Sequence, residues 1–191
     1  MNERNNKTKE LCFCGLMVAL MAICSWIQLT IGPVPFTLQT FGVFAAVGLL
    51  GGKLGSISVL VFVILGAVGV PVFAGFSGGP SVIFGVTGGY ILGFIFTALI
   101  MWLFEKLFGK GIVSLIISMV IGLAVCYAFG TAWFMVAYTR TAGSISLAKS
   151  LSLCVIPFIV PDLVKVACAA VISSSLRKPV QKMLRSNAPA A

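Results

Sequence analysis

The chain contains no histidine, and aspartate and glutamate together number 4 in 191 residues. Without imidazole the commonest general base is gone, and so is every Ser-His or Cys-His nucleophile pair, which leaves enzyme chemistry little to work with. The same absence deprives the cysteines of a zinc partner. Cys12, Cys14, Cys24, Cys126, Cys154 and Cys168 lie inside apolar stretches and form no C-x-x-C pair, so they read as small, polarizable packing residues. No G-x-x-x-x-G-K-[ST] phosphate loop is present. Gly51-Gly52-Lys53-Leu54 has no upstream glycine at the required place and no hydroxyl after the lysine, which excludes ATP binding by that route.

Charge of either sign is scarce. Only 9% of residues are charged while 60% are hydrophobic, against about 25% charged in soluble domains; mean hydropathy is +1.15. Runs of roughly 20 apolar residues can cross a hydrocarbon core about 30 Å thick. The sequence therefore describes an all-α integral membrane protein. Spans are expected at 11–31, 39–52, 54–70, 85–104, 111–138 and 150–175, about six transmembrane helices in one domain over 1–191. The first run is too long for a signal-peptide core and has no small-residue cleavage site after it, so it is expected to be retained. Lys53 favours a tight aqueous turn between the second and third spans, because a charge at mid-bilayer is costly.

The formal charge of +9 does not suggest nucleic-acid binding, because the cations sit in short connections between spans;. With the N-terminus inside, Arg4, Lys7, Lys9, Lys53, Lys106, Lys110, Arg177, Lys178, Lys182 and Arg185 fall on one side. Only Arg140 and Lys149 fall on the other. By the positive-inside rule both termini are then cytoplasmic, residues 1–10 being an N-terminal segment and 176–191 a basic tail. The two longer outer connections, 32–38 and 71–84, are rich in proline, glycine and phenylalanine and carry no charge. Irregular backbone of that kind is expected to fold back over the helices and cover a ligand cavity.

Asp162 and Lys165 are the outstanding candidates, as charges near the middle of the last span. Ionisable residues within a membrane mark functional sites by default. At i and i+3 they share one helix face, where they can neutralise each other or reach one ligand; a purely structural ion pair is the alternative. Pro157 and Pro161 lack N–H groups, which frees the carbonyls of Leu153 and Pro157 as acceptors nearby;. Thr37, Gln39 and Thr40, with Ser77, Thr87 and Tyr90, border the outer connections and supply neutral hydrogen-bonding groups;. Gly85, Gly89 and Gly93 suit helix packing, whereas Gly75, Gly78 and Gly79 suit a left-handed turn or a ligand contact;. Gly15 and Ala19 form a small-xxx-small pattern that fits either a partner helix or internal packing;. Carboxylates are not stacked along any span as a proton relay requires, so active transport would draw its energy from a partner.

Three ordered motifs carry a resemblance. Pro33-Val34-Pro35-Phe36-Thr37-Leu38-Gln39-Thr40 resembles the P-[VI]-P-x-T-x-Q run of BioY proteins. Gly69-Val70-Pro71-Val72-Phe73-Ala74-Gly75, then Gly78-Gly79 and Thr87-Gly88-Gly89-Tyr90, resembles a second run, with Val86 where the family commonly has proline. Pro161-Asp162-Leu163-Val164-Lys165 looks like the P-D-x-x-K of its last helix. The resemblance implies a biotin-binding S component of an energy-coupling factor transporter. Such a subunit has no cofactor of its own and works with a transmembrane coupling subunit and two ATPase subunits, which consume the ATP. On that reading Asp162 accepts from ureido N–H groups, and Lys165 donates to the ureido carbonyl, to the carboxylate tail or to Asp162. Phe36, Phe73 and Tyr90 would wall the rings, with Thr37, Gln39, Gly78 and Gly79 beside them. An S component for another vitamin and a self-sufficient carrier are the alternatives.

Overall fold

The computed structural model describes residues 2–29 and 34–185. In chain order it comprises α1 (Asn2–Trp26), β1 (Gln28–Leu29), β2 (Phe36–Thr37), α2 (Gln39–Leu50), α3 (Gly52–Ala67), α4 (Pro80–Ile83), α5 (Gly88–Phe108), α6 (Ile112–Ala142), α7 (Leu147–Cys154) and α8 (Ile156–Arg185). Within the described residues, Asn6–Trp26, Gly88–Phe108, Ile112–Arg140 and Ile156–Leu184 are long and apolar enough to cross a membrane.

The second and third apolar segments form shorter helices of 12 and 16 residues, about 18 and 24 Å long at 1.5 Å per residue. All of α2 except Thr40 and Phe41 is buried, as expected of a helix that is apolar on every side. It packs against α8, α3 and α1, and because it begins only at Gln39 it leaves space above its first turn. A turn at Gly51 leads into α3, where Lys53 is exposed. On α5, Gly89 and Gly93 let α6 approach: a Cβ at Gly89 would overlap Trp133, and one at Gly93 would stand 2.8 Å from Cys126 Sγ. Gly85 precedes α5, so the expected packing glycines are helical at 89 and 93 but not at 85.

Three boundaries differ from the sequence-based expectation. The last span, 150–175, is two helices, with Val155 at φ −124° and ψ −57° between them. Pro157 explains the break, since a proline disfavours helical geometry in the residue before it and is harmless only in a helix's first turn. It therefore starts α8 instead of kinking a continuous span, whereas Pro161 lies inside α8. At the other end α8 runs on to Arg185, so the expected tail is helical as far as residue 185. Lys, Arg and Gln are good helix formers, and cations suit a helix C-terminus. The expected N-terminal segment 1–10 is likewise continuous with α1 from Asn2 onward.

Both of the connections expected on the outer side acquire structure. β1 and β2 pair antiparallel, with Gln28 opposite Thr37 and Leu29 opposite Phe36; Pro33 of the first motif lies outside the described residues. The second connection is pinned by Phe73, which is buried edge-on to Phe62 at 5.6 Å. It is pinned again by Trp26, whose indole stacks on Phe76 at 4.7 Å and donates to the Pro71 carbonyl at 3.0 Å. The opposite end of the bundle is clamped by Glu105. Its Oε2 accepts from the Gly52 N–H and from Arg177 Nη2, each at 2.7 Å, joining α3, α5 and α8.

Candidate functional site

A cavity of about 420 Å³ lies above the first turn of α2, between the strand pair, the pinned loop, the first turns of α5, the middle of α6 and the first part of α8. Its size falls within the usual range for small-molecule pockets, about 300–1,000 Å³.

Asp162 and Lys165 line this cavity although their side chains are only 3% and 6% exposed. Lys165 Nζ donates to Asp162 Oδ1 at 2.7 Å and to the Thr37 main-chain carbonyl at 2.6 Å. The same ammonium stands 4.1 Å from the centre of the Phe36 ring, a cation–π contact. These hydrogen bonds use two of the three Lys165 N–H donors;. Of the partners open to it in the sequence, Asp162 is the one within the protein, and Lys165 engages it together with the Thr37 carbonyl, which sequence spacing could not bring near.

The Asp162 carboxylate also accepts from Thr40 Oγ1 at 3.0 Å and, on Oδ2, from the Tyr127 hydroxyl. Two ionised oxygens offer roughly four acceptor directions, so three donors leave about one for something else. Beside it, Gln39 is 7% exposed and lines the cavity. Its Oε1 accepts from Thr37 Oγ1 at 3.2 Å, but Nε2 is buried with no hydrogen-bond partner among the described residues. An unmade buried hydrogen bond costs about 1–3 kcal/mol. The cavity thus offers a remaining acceptor site on a carboxylate and an unused N–H₂ donor in apolar surroundings.

The other expected site residues divide. Thr37, Phe73 and Tyr90 line the cavity, although Phe73 chiefly anchors its loop and the Tyr90 hydroxyl shares a hydrogen bond of 3.1 Å with Thr131. Phe36, Gly78 and Gly79 do not line it. Phe36 stands against Lys165 and Phe158. Gly78 is needed because a Cβ there would overlap the Val70 carbonyl, and Gly79, at φ +98°, donates to the Gly66 carbonyl at 2.6 Å. Their contribution is to the loop's backbone. Gly15 and Ala19 are exposed on α1 and do not line the cavity, and a Cβ at Gly15 would meet nothing within 4 Å.

Tyr127 is the functional candidate that span-by-span reading passes over. The signal was available: a hydroxyl near the middle of a long apolar run must find a partner when buried. Cys126 and Cys154 also line the cavity, with Cys126 Sγ donating to the Tyr90 carbonyl at 3.6 Å.

The chain is similar to known proteins in sequence and in structure. The profile of the BioY family matches residues 1–182. A probable biotin transporter BioY of Pyrococcus horikoshii is 44% identical over 90% of this chain and 98% of its own length. The biotin transporter BioY of Thermotoga maritima is 38% identical over 89% of this chain and 96% of its own length. The crystal structure of the S-component for biotin from an ECF-type ABC transporter superposes with a TM-score of 0.80 at 31% identity, covering 91% of this chain and 93% of that one. The family profile over residues 1–182, the relatives at 44% and 38% identity and the shared fold agree, and the chain belongs to the BioY family.

Proposed function

We propose that this chain is the biotin-binding S component of an energy-coupling factor transporter, capturing biotin with high affinity from the outer side of the cell membrane. The observation that carries the reading is the pairing of Asp162, with one acceptor direction left, and Gln39 Nε2, a buried donor without a partner, on one cavity. A cyclic urea presents the complement, N–H donors beside a carbonyl acceptor. Ureido N–H meets Asp162, the ureido carbonyl meets Gln39, and the apolar rings face Tyr90 and Phe73. The names of the relatives supply biotin as the molecule.

Six spans, with both termini cytoplasmic, accommodate this role. Glu105 gathers α3, α5 and α8 at one end, and the cavity lies at the other, which supports reading the shorter, apolar α2 and α3 as the second and third spans. The exposed small residues Gly15 and Ala19 suit the transmembrane coupling subunit;. Two ATPase subunits hydrolyse the ATP, and this chain catalyses no reaction.

Calorimetry on the purified chain tests the assignment. One-to-one binding of biotin, with no heat from ATP, riboflavin or thiamin, is the expected result. Binding of riboflavin or thiamin with no biotin heat would overturn it.

A further inference from the structure

A second cavity lies between the start of α6 and the last turns of α8, at the end of the bundle clamped by Glu105. It measures about 380 Å³ and is lined by Lys110, Arg177 and Lys178, with Ile112 and Leu115 on its apolar side. Three cations meet here, and the acid beside them is shared. Glu105 pairs with Arg177 at 2.7 Å and with Lys110 at 3.6 Å, while Lys178 has no ion pair among the described residues. Arg177 Nε is buried without a hydrogen-bond partner among the described residues.

The start of α6 adds to the positive field. Gly111 caps it without any side-chain hydrogen bond, and the first helical bond is Leu115 N–H to the Gly111 carbonyl at 3.0 Å. The N–H groups of Ile112, Val113 and Ser114 therefore have no acceptor within the helix, and they concentrate its positive dipole end. Ile112, Val113 and Ile116 are exposed beside them. A soluble anion has no use for that apolar border, whereas an amphiphile does.

The geometry points to a binding site for the phosphate headgroup of an anionic phospholipid, with the phosphate between Arg177, Lys178 and the start of α6. Its acyl chains lie along Ile112 and Ile116. The site is separate from the biotin cavity and does not rest on the biotin assignment. Cations at the headgroup level attract anionic lipid in this way, each strengthening binding about fivefold.

The test uses the full chain, delipidated in a non-ionic detergent and titrated separately with phosphatidylglycerol, phosphatidylcholine and inorganic phosphate. Native mass spectrometry reads retained lipid, and a thermal shift reads stabilisation. One phosphatidylglycerol per chain should be retained and should raise the melting temperature, while phosphatidylcholine and inorganic phosphate do neither. Lys178→Glu and Lys110→Gln, both at exposed positions, should each weaken phosphatidylglycerol about fivefold or more. Equal retention of phosphatidylcholine, or undiminished phosphatidylglycerol binding by both variants, overturns the site. Stabilisation by inorganic phosphate equal to that by phosphatidylglycerol overturns the lipid and leaves a soluble anion.

Discussion

Lys165 Nζ donates to the main-chain carbonyl of Thr37 at 2.6 Å, so a side chain of α8 fastens the strand that closes one wall of the cavity. The bond makes the ion pair more than a pair. It couples the charge on α8 to the position of β2, and through Thr37 Oγ1 to the carboxamide of Gln39.

Lys165→Met should therefore lower stability as well as affinity. It leaves Asp162 buried without its cation and the Thr37 carbonyl without a donor, a loss of about 3–5 kcal/mol for breaking a buried pair from one side. Asp162→Asn should cut biotin affinity by about ten- to more than a hundredfold, the worth of a charge-assisted hydrogen bond of roughly 1.5–3 kcal/mol. The double variant separates structure from ligand contact. Near-normal biotin affinity in Asp162→Asn with Lys165→Met, measured by calorimetry, would mean that Asp162 only neutralises the lysine.

Gln39→Met should move stability and binding differently. It removes a buried donor that has no partner among the described residues and, with it, the acceptor of one Thr37 hydrogen bond, so the melting temperature without ligand should change little. Biotin affinity should fall about two- to tenfold, for one neutral hydrogen bond of roughly 0.5–1.5 kcal/mol. Unchanged affinity would remove Gln39 from the contact set.

Tyr127→Phe deletes one of the hydroxyls on Asp162 and leaves the ring in place. Freed of that donor, Asp162 should turn from its present orientation, and biotin affinity should drop about tenfold or more. A thermal shift of the unliganded variant, read beside calorimetry, distinguishes lost positioning from a general loss of fold. Wild-type affinity would make the tyrosine a packing residue.

Gly15→Leu and Ala19→Leu add bulk to an exposed stripe of α1 away from the cavity. Co-purification with the coupling subunit should weaken while biotin binding stays at the wild-type level. Normal assembly by both variants would place the partner on another face.

Much of this architecture was legible in the residues because a bilayer permits few solutions. Apolar runs separated by cations read directly as helices, and two opposite charges inside one of them drew attention to Asp162 and Lys165. Contacts between segments distant in sequence were not legible. Nothing in the spacing of Thr37 and Lys165 says that they touch, and Phe36 read as a ligand wall because its aromatic face serves a cation as well as it serves a ring. Gly78 and Gly79 read as either a left-handed turn or a ligand contact for a related reason. A glycine permits close approach by any neighbour, and here the neighbours are the carbonyls of Val70 and Gly66. The division of the last span at Val155 was foreshadowed by Pro157, but proline spacing alone does not distinguish a kinked helix from a new one.

Asp162 and Lys165 hold opposite charges 2.7 Å apart on one helix, and this has an electrical consequence. A lone charge carried across a membrane potential of 100 mV exchanges about 2.3 kcal/mol with the field. A tight pair carries almost none, because the work done on one member is returned by the other. The pair is therefore close to electroneutral, and the membrane potential does almost no net work on it when α8 shifts along the bilayer normal;.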